Sequence, residues 1–264
     1  VVAGAGAASA ARTPPNPRAA ALAALEHLMI GQHATNHLLP GRSAGPKGAP
    51  VQVRSSNWSG YADTTTSSKY VKVTGSWTEP SATCGSATSL AAFWVGIDGY
   101  SSGSVEQDGT LIECVGGTPT YYTWWEMYPS NAIQIVGTTL KPGDKIFSSV
   151  VKSGTNYTLK VTDSTTPANS FTTTQTCAAA TCVDSSAEWI AEAPSGSAGV
   201  YPLSNFGGWT LTGATVKAGT TAGTISTFPD AEITMADSGG KVKAQPGPLN
   251  ATGKSFKVTW KSST

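Results

Sequence analysis

Charge is scarce in this 264-residue sequence: Asp, Glu, Lys and Arg together make up 12% of it. A chain so poor in charge must build its surface from Ser, Thr, Gly and Asn. With short Val/Thr/Tyr-rich runs between Gly and Pro, that bias points to an all-β protein. Histidine is scarcer still. All three, His27, His33 and His37, precede residue 55. The body of the chain therefore has no imidazole, which excludes a Ser-His or Cys-His nucleophile and any imidazole-dependent zinc site there. The spacing of the three is not that of a metal motif, and they read as solvent-facing helix positions; no metal and no cofactor is expected. There is no Walker loop, and the DxG and GxDG fragments lack EF-hand spacing. No apolar run is long enough to cross a membrane. A net charge of +1 suggests neither nucleic acid nor an anionic membrane as a partner.

Cations are missing locally as well. Residues 1–54 hold five bases (Arg12, Arg18, Arg42, Lys47, Arg54) and one acid, Glu26. Between Lys72 and Lys141 there is no Lys or Arg, yet Glu79, Asp98, Glu106, Asp108, Glu113 and Glu126 fall there. The stretch from Lys160 to Lys217 repeats the pattern with Asp163, Asp184, Glu188 and Glu192. If the two stretches meet in space, repulsion raises some of their pKa values and suits the site to chemistry in acid. With histidine absent, carboxylates are the proton-transfer groups on offer.

Four cysteines fit an oxidising compartment and a secreted, extracellular protein. They allow three connectivities. Cys177 and Cys182 bracket a short loop and suit a local bridge, which leaves Cys84–Cys114. The opening VVAGAGAASAA has no basic n-region and reads as the remnant of a removed export signal. The sequons at Asn57, Asn156 and Asn250 are potential glycosylation sites.

Two regions are expected. Residues 1–54 form a basic, propeptide-like segment: an Ala/Gly/Pro tract, then a short helix starting at Asn16-Pro17, carrying Leu22, Leu25, Leu28 and Met29 and ended by Pro40-Gly41. One such helix cannot fold alone and must dock or stay mobile. From residue 55 to 264 the period becomes two. Phe93, Val95 and Ile97 alternate with Trp94, Gly96 and Asp98; Tyr122, Trp124, Glu126 and Tyr128 share a face; Glu188 and Glu192 flank Ile190. Such alternation predicts an antiparallel β-sandwich.

Five segments then occur in a telling order: Ser56-Asn57-Trp58-Ser59-Gly60, Gly75-Ser76-Trp77-Thr78-Glu79-Pro80, Trp94-Val95-Gly96-Ile97-Asp98-Gly99, Tyr122-Thr123-Trp124-Trp125-Glu126, and Ala187-Glu188-Trp189-Ile190. Together they resemble the glutamic peptidases, the eqolisin family, over roughly residues 55–264. The resemblance implies a concanavalin-like sandwich of two bent antiparallel sheets with a cleft on one concave face. It implies Glu188 and Gln107 as the catalytic pair, the latter within Val105-Glu106-Gln107-Asp108-Gly109, and Trp94, Asp98, Trp124 and Glu126 as substrate-binding or site-shaping residues. In such an enzyme Glu188 is the general base toward water, and Gln107 a fixed dipole for the water and the oxyanion. The implied partners are protein or peptide substrates and the chain's own N-terminal segment as an intramolecular inhibitor, with a monomer expected. A lectin-like sandwich binding carbohydrate without catalysis, or an inactive surface or inhibitor domain, are the competing functions.

Overall fold

In a computed structural model the described residues are 37–43, 49–64, 69–178, 180–197 and 199–264. The helix expected from Asn16 lies outside them. At its expected end the chain is extended: β1 (Leu38–Ser43) pairs with β2 (Val51–Ser55), which straddles the expected 54/55 boundary. The succeeding strands are β3 (Trp58–Thr64), β4 (Tyr70–Thr78), β5 (Ser89–Ile97), β6 (Val105–Val115), β7 (Thr118–Tyr128) and β8 (Asn131–Gly137). Then come β9 (Lys145–Ser153), β10 (Asn156–Asp163), β11 (Phe171–Thr176), β12 (Ser186–Glu192), and the two-residue β13 (Ser195–Gly196) and β14 (Gly199–Val200). The chain ends with β15 (Gly208–Ala218), β16 (Thr221–Gly223), β17 (Asp230–Ala236), β18 (Val242–Pro246) and β19 (Phe256–Trp260).

The pairings make two sheets. The first runs β1-β2-β17-β3-β12-β5-β6-β7-β8, and the second β16-β15-β4-β9-β10-β11. Every ladder between these strands is antiparallel except β2 with β17. Strand β15 joins the sheets: Gly208–Leu211 pairs with β19, and Thr212–Ala218 with β4. The all-β expectation holds, as a sandwich of two large sheets.

The core between the sheets is built from the alternate residues that the period-two pattern singled out. Phe93, Val95, Ile97, Trp189 and Ala191 of the first sheet meet Val73, Trp77, Val150 and Leu159 of the second. Trp209 stacks on Phe93 at 5.3 Å and meets Trp77 edge-on at 5.7 Å. The other face of the first sheet has its own cluster, in which Trp58, Trp94, Trp124, Tyr122, Leu111 and Ile190 are buried. Strands β5 and β12 are consequently buried at every position. The cysteines pair as Cys84–Cys114 and Cys177–Cys182, with Cα atoms 5.4 and 6.1 Å apart.

Candidate active site

The register of four neighbouring strands builds the site. Glu188 of β12 lies opposite Gly96 of β5, Gly96 opposite Gln107 of β6, and Gln107 opposite Glu126 of β7. Directly paired residues project to the same face, so these four form one row across the sheet. Glu188 and Gln107 are two strands apart, about 9.5 Å at the backbone. The position between them is a glycine. A Cβ on Gly96 would come within 2.9 Å of Trp94 Cζ3 and 3.2 Å of Gln107 Cβ, so the missing side chain keeps this space open. The adjacent row is Ile190–Trp94–Gly109–Trp124, and here too a glycine is required: a Cβ on Gly109 would lie 2.0 Å from the Phe93 carbonyl oxygen and 2.8 Å from Trp94 Cα.

Polar atoms in this face are unevenly satisfied. Gln107 Nε2 donates to Glu126 Oε2 at 2.8 Å, which turns the amide and aims its carbonyl elsewhere. Gln107 Oε1, both carboxyl oxygens of Glu188 and Trp124 Nε1 are buried without a hydrogen-bond partner. Buried polar atoms are nearly always paired, so an unpaired acceptor–acceptor–donor set on one face marks a place for a ligand. Such a set suits a water held between Glu188 and Gln107 and a carbonyl approached by N–H donors.

Electrostatics follow from burial. Glu188 is fully buried, and burial pushes its carboxyl well above the ordinary carboxylate range; repulsion from Asp98, Glu106 and Asp63 pushes the same way. The Ser186 hydroxyl nearby pulls it partly back, although it is not in hydrogen-bonding geometry with either oxygen. Glu126 is raised to about 8, chiefly by burial, against the opposing hydrogen bond from Gln107. The two acidic stretches do meet, at Asp98 and Asp184, but desolvation outweighs their mutual repulsion as the cause of the shifts.

The remaining sequence candidates fall as follows. Trp94 and Trp124 lie on the site face, and the Trp94 indole donates to Glu192 Oε2 at 2.9 Å. Asp98, at the end of β5 with φ +70°, turns its carboxylate to the loop before β12, accepting from the backbone N–H of Asp184 and Ser185, each at 2.7 Å, and from the Ser185 hydroxyl. It thereby clamps the strand that carries Glu188. Glu106 and Asp108, which flank Gln107, face the opposite way, into the core between the sheets. Asp108 is held there by Ser148 and the Lys160 N–H. Among the described residues one group has metal-ligand proximity, Glu106 with Cys177 and Cys182, and the disulfide between those cysteines leaves no thiolate set to hold an ion.

Glu192 is the residue that sequence reasoning underused. Alternation placed it on the face of Glu188, but nothing in the sequence shows that its carboxyl takes the Trp94 N–H. Asn57 Nδ2 donates to its other oxygen at 3.5 Å, and Asn57 Oδ1 accepts from the Ser55 hydroxyl and the His37 N–H. Asn57 is fully buried, so its sequon is closed to glycosylation in the folded chain, whereas Asn156 and Asn250 are exposed.

A family model described as the Peptidase A4 family matches residues 56–258. The chain belongs to that family. Aspergillopepsin-2 of Aspergillus niger is 27% identical to it over 78% of each sequence. Its sandwich superposes on scytalido-glutamic peptidase bound to a peptide-based transition state analog with a TM-score of 0.66, at 22% identity, over 78% of this chain and 98% of that one. Aspergilloglutamic peptidase from Aspergillus niger superposes with a TM-score of 0.56 at 25% identity, over 65% of this chain and 99% of the other. This A4 peptidase is thus a glutamic endopeptidase, a hydrolase, built as the sandwich its alternation predicted.

Proposed function

We propose that this A4 peptidase is a secreted, acid-active enzyme that hydrolyses peptide bonds in protein substrates with Glu188 and Gln107, and that residues upstream of the catalytic sandwich hold it latent. The observation that carries the catalytic reading is the row Glu188–Gly96–Gln107, with its unpaired oxygens facing one gap. A water in that gap loses a proton to Glu188 as it attacks the scissile carbonyl carbon. The C–N bond breaks as Glu188 returns the proton to the leaving nitrogen. Gln107 Oε1 orients the water, and the second Nε2 hydrogen, not taken by Glu126, faces the developing oxyanion. Glu126 fixes that amide, and Trp94 and Trp124 form the walls against which substrate lies. An amide does not titrate in this range, so the dipole persists at low pH.

Burial supports latency. Glu188, Gln107, Trp94 and Trp124 are each 2% exposed or less, the low accessibility a latent form calls for. Burial also pushes the Glu188 carboxyl well above the ordinary range, which favours its protonated form. Opening the cleft to water returns its carboxyl toward the ordinary range, near 4.3 for an unperturbed Glu (roughly). Residues 1–54 carry five bases against one acid, the sequence feature that motivates the latency reading.

The decisive experiment digests a denatured protein at about pH 3 and about pH 7 with an aspartic-peptidase inhibitor present, after incubation in acid. Inhibitor-resistant cleavage at the lower pH, lost in Glu188→Gln, is the expected result. Cleavage retained by that variant overturns the assignment.

A further inference from the structure

The second sheet turns one face inward and presents the other to solvent, and that outer face differs in chemistry from the rest of the molecule. Its rows can be read from the pairings. Lys217, Lys72, Val151, Thr158 and Thr174 line up across β15, β4, β9, β10 and β11. Thr215, Thr74, Ser149, Lys160 and Thr172 form the next row, then Thr212, Ser76, Phe147 and Thr162, then Thr78 with Lys145. The face is threonine, serine and lysine, of which Thr74 and Ser149 are buried, with one large apolar side chain, Phe147, 38% exposed. These five strands contain one carboxylate, Asp163, and it points inward and is 1% exposed.

Among the described residues these lysines form no ion pair; the one ion pair there is Lys152–Asp184, which lies off this face. Lys217 and Lys72 stand directly opposite each other on adjacent strands, an arrangement that costs stability unless an anion sits over it. The imbalance is general: of fifteen Asp and Glu in residues 55–264, twelve are buried, whereas Lys243 is the one buried cation among the described residues. Burial keeps many of those carboxyls protonated in acid, so the exterior is more cationic than the sequence total of +1 conveys. A cleft of about 880 Å³ runs over the Lys145 end of this face, lined in part by Ser76, Thr78, Lys145, Phe147 and Thr162 and also by the buried Glu79.

From this we infer that the outer face of the second sheet docks an acidic polysaccharide, a polymer of uronic acid units. Charge complementarity calls for a polyanion. The hydroxyl-rich rows match a polyol, and an exposed aromatic ring offers a platform for a sugar ring. No arginine lies on these strands, and arginine is the residue suited to planar recognition of phosphate, so nucleic acid fits less well. A single exposed phenylalanine is a poor anchor for a lipid surface. Docking here leaves the row of Glu188 and Gln107, on the far side of the other sheet, untouched. The surface would tether the peptidase to an acidic matrix.

The test uses the full chain and polygalacturonate as probe, at about pH 5, where uronate carboxyls remain largely ionised. Fully methyl-esterified polygalacturonate and a single-stranded oligothymidylate serve as comparators. Binding to polygalacturonate should weaken at least about tenfold between about 20 and 300 mM salt, and be absent with the ester. The combined variant Lys72→Gln, Lys145→Gln, Lys160→Gln, Lys217→Gln should lose at least about tenfold in affinity with unchanged peptidase activity, whereas Lys241→Gln with Lys261→Gln, off this face, should bind like the parent. Equal binding by the fourfold variant, equal binding to the ester, tighter binding to the oligothymidylate, or no binding at all would each overturn the proposal.

Discussion

Between Glu188 and Gln107 the sheet carries no side chain, and the proposed chemistry depends on that. A methyl group at Gly96 would be pressed against the Trp94 ring at 2.9 Å and Gln107 Cβ at 3.2 Å. Gly96→Ala should therefore cut kcat/KM at least about tenfold by displacing the pair, at a stability cost of about 1–3 kcal/mol typical of overpacking. Kinetics alongside denaturant unfolding separates the two effects; unchanged kcat/KM would refute the crowding argument. Glu188→Gln preserves shape and removes the base, so a loss on the order of 10²–10⁴-fold in kcat with little change in Tm is expected. Glu192 acts at one remove. Glu192→Gln keeps an acceptor for the Trp94 indole, whereas Glu192→Leu strands a buried N–H at a cost of about 1–3 kcal/mol. If Glu192 positions Trp94, the leucine variant raises KM more than it lowers kcat, and glutamine restores it. Equal kinetics for the two would assign the residue to packing alone.

Strand β2 constrains where the chain can be cut. Val51–Ser55 runs parallel to β17, pairing from Ala231↔Val51 to Met235↔Ser55, and Val53 is 3% exposed. Severing β2 would strip hydrogen bonds from β17 and uncover the cluster around Val53, whereas β1 pairs with β2 alone among the described strands. Activation in acid should therefore cleave within residues 44–50 and leave β2 in place. N-terminal sequencing of the acid-matured enzyme checks this: a first residue beyond Ser55, or intact Val1 in fully active enzyme, defeats it. At this scale the alternation of β5, β7 and β12 was legible beforehand, because each strand buries two chemically different faces. Phe93, Val95 and Ile97 meet an apolar sheet, while Trp94 and Gly96 meet the cleft. Strand β1 was not legible. Its Pro40-Gly41 reads locally as a helix stop, and its pairing with Arg54 and Ser55 comes from tertiary contact.

The whole molecule stores its negative charge inside, and this sets its response to pH. Glu79, Glu126 and Glu192 are all fully buried and raised from 4.5 to about 8, chiefly by desolvation. From about pH 4.5 to 8 the unfolded chain has released these protons and the folded chain still holds them. Stability is thus fully present in acid and falls as pH rises through that window, by about 1.4 kcal/mol per pH unit for each group. Tm should decline steadily from about pH 4 to about pH 8. A maximum near neutrality would show that the buried carboxyls are compensated in a way their surroundings do not reveal.

By itself the sequence determined the all-β class and the family, because period and motif order are properties of the chain alone, and it favoured the disulfide pairing that the structure then showed. It placed Trp94 with Asp98, Trp124 with Glu126, and Glu188 with Glu192 on shared faces for the same reason, although Asp98 turns its carboxylate to the loop before β12. Tertiary structure decided the rest. The register across β12, β5, β6 and β7 put Glu188 and Gln107 on either side of Gly96 and turned Glu106 and Asp108 into the core, since a strand's facing is fixed by its partners and not by its own residues. Burial decided that Glu188, Glu126 and Glu192 would keep their protons to higher pH than free carboxyls do, and it left lysines, those of the second sheet among them, as much of the charge the protein shows to water.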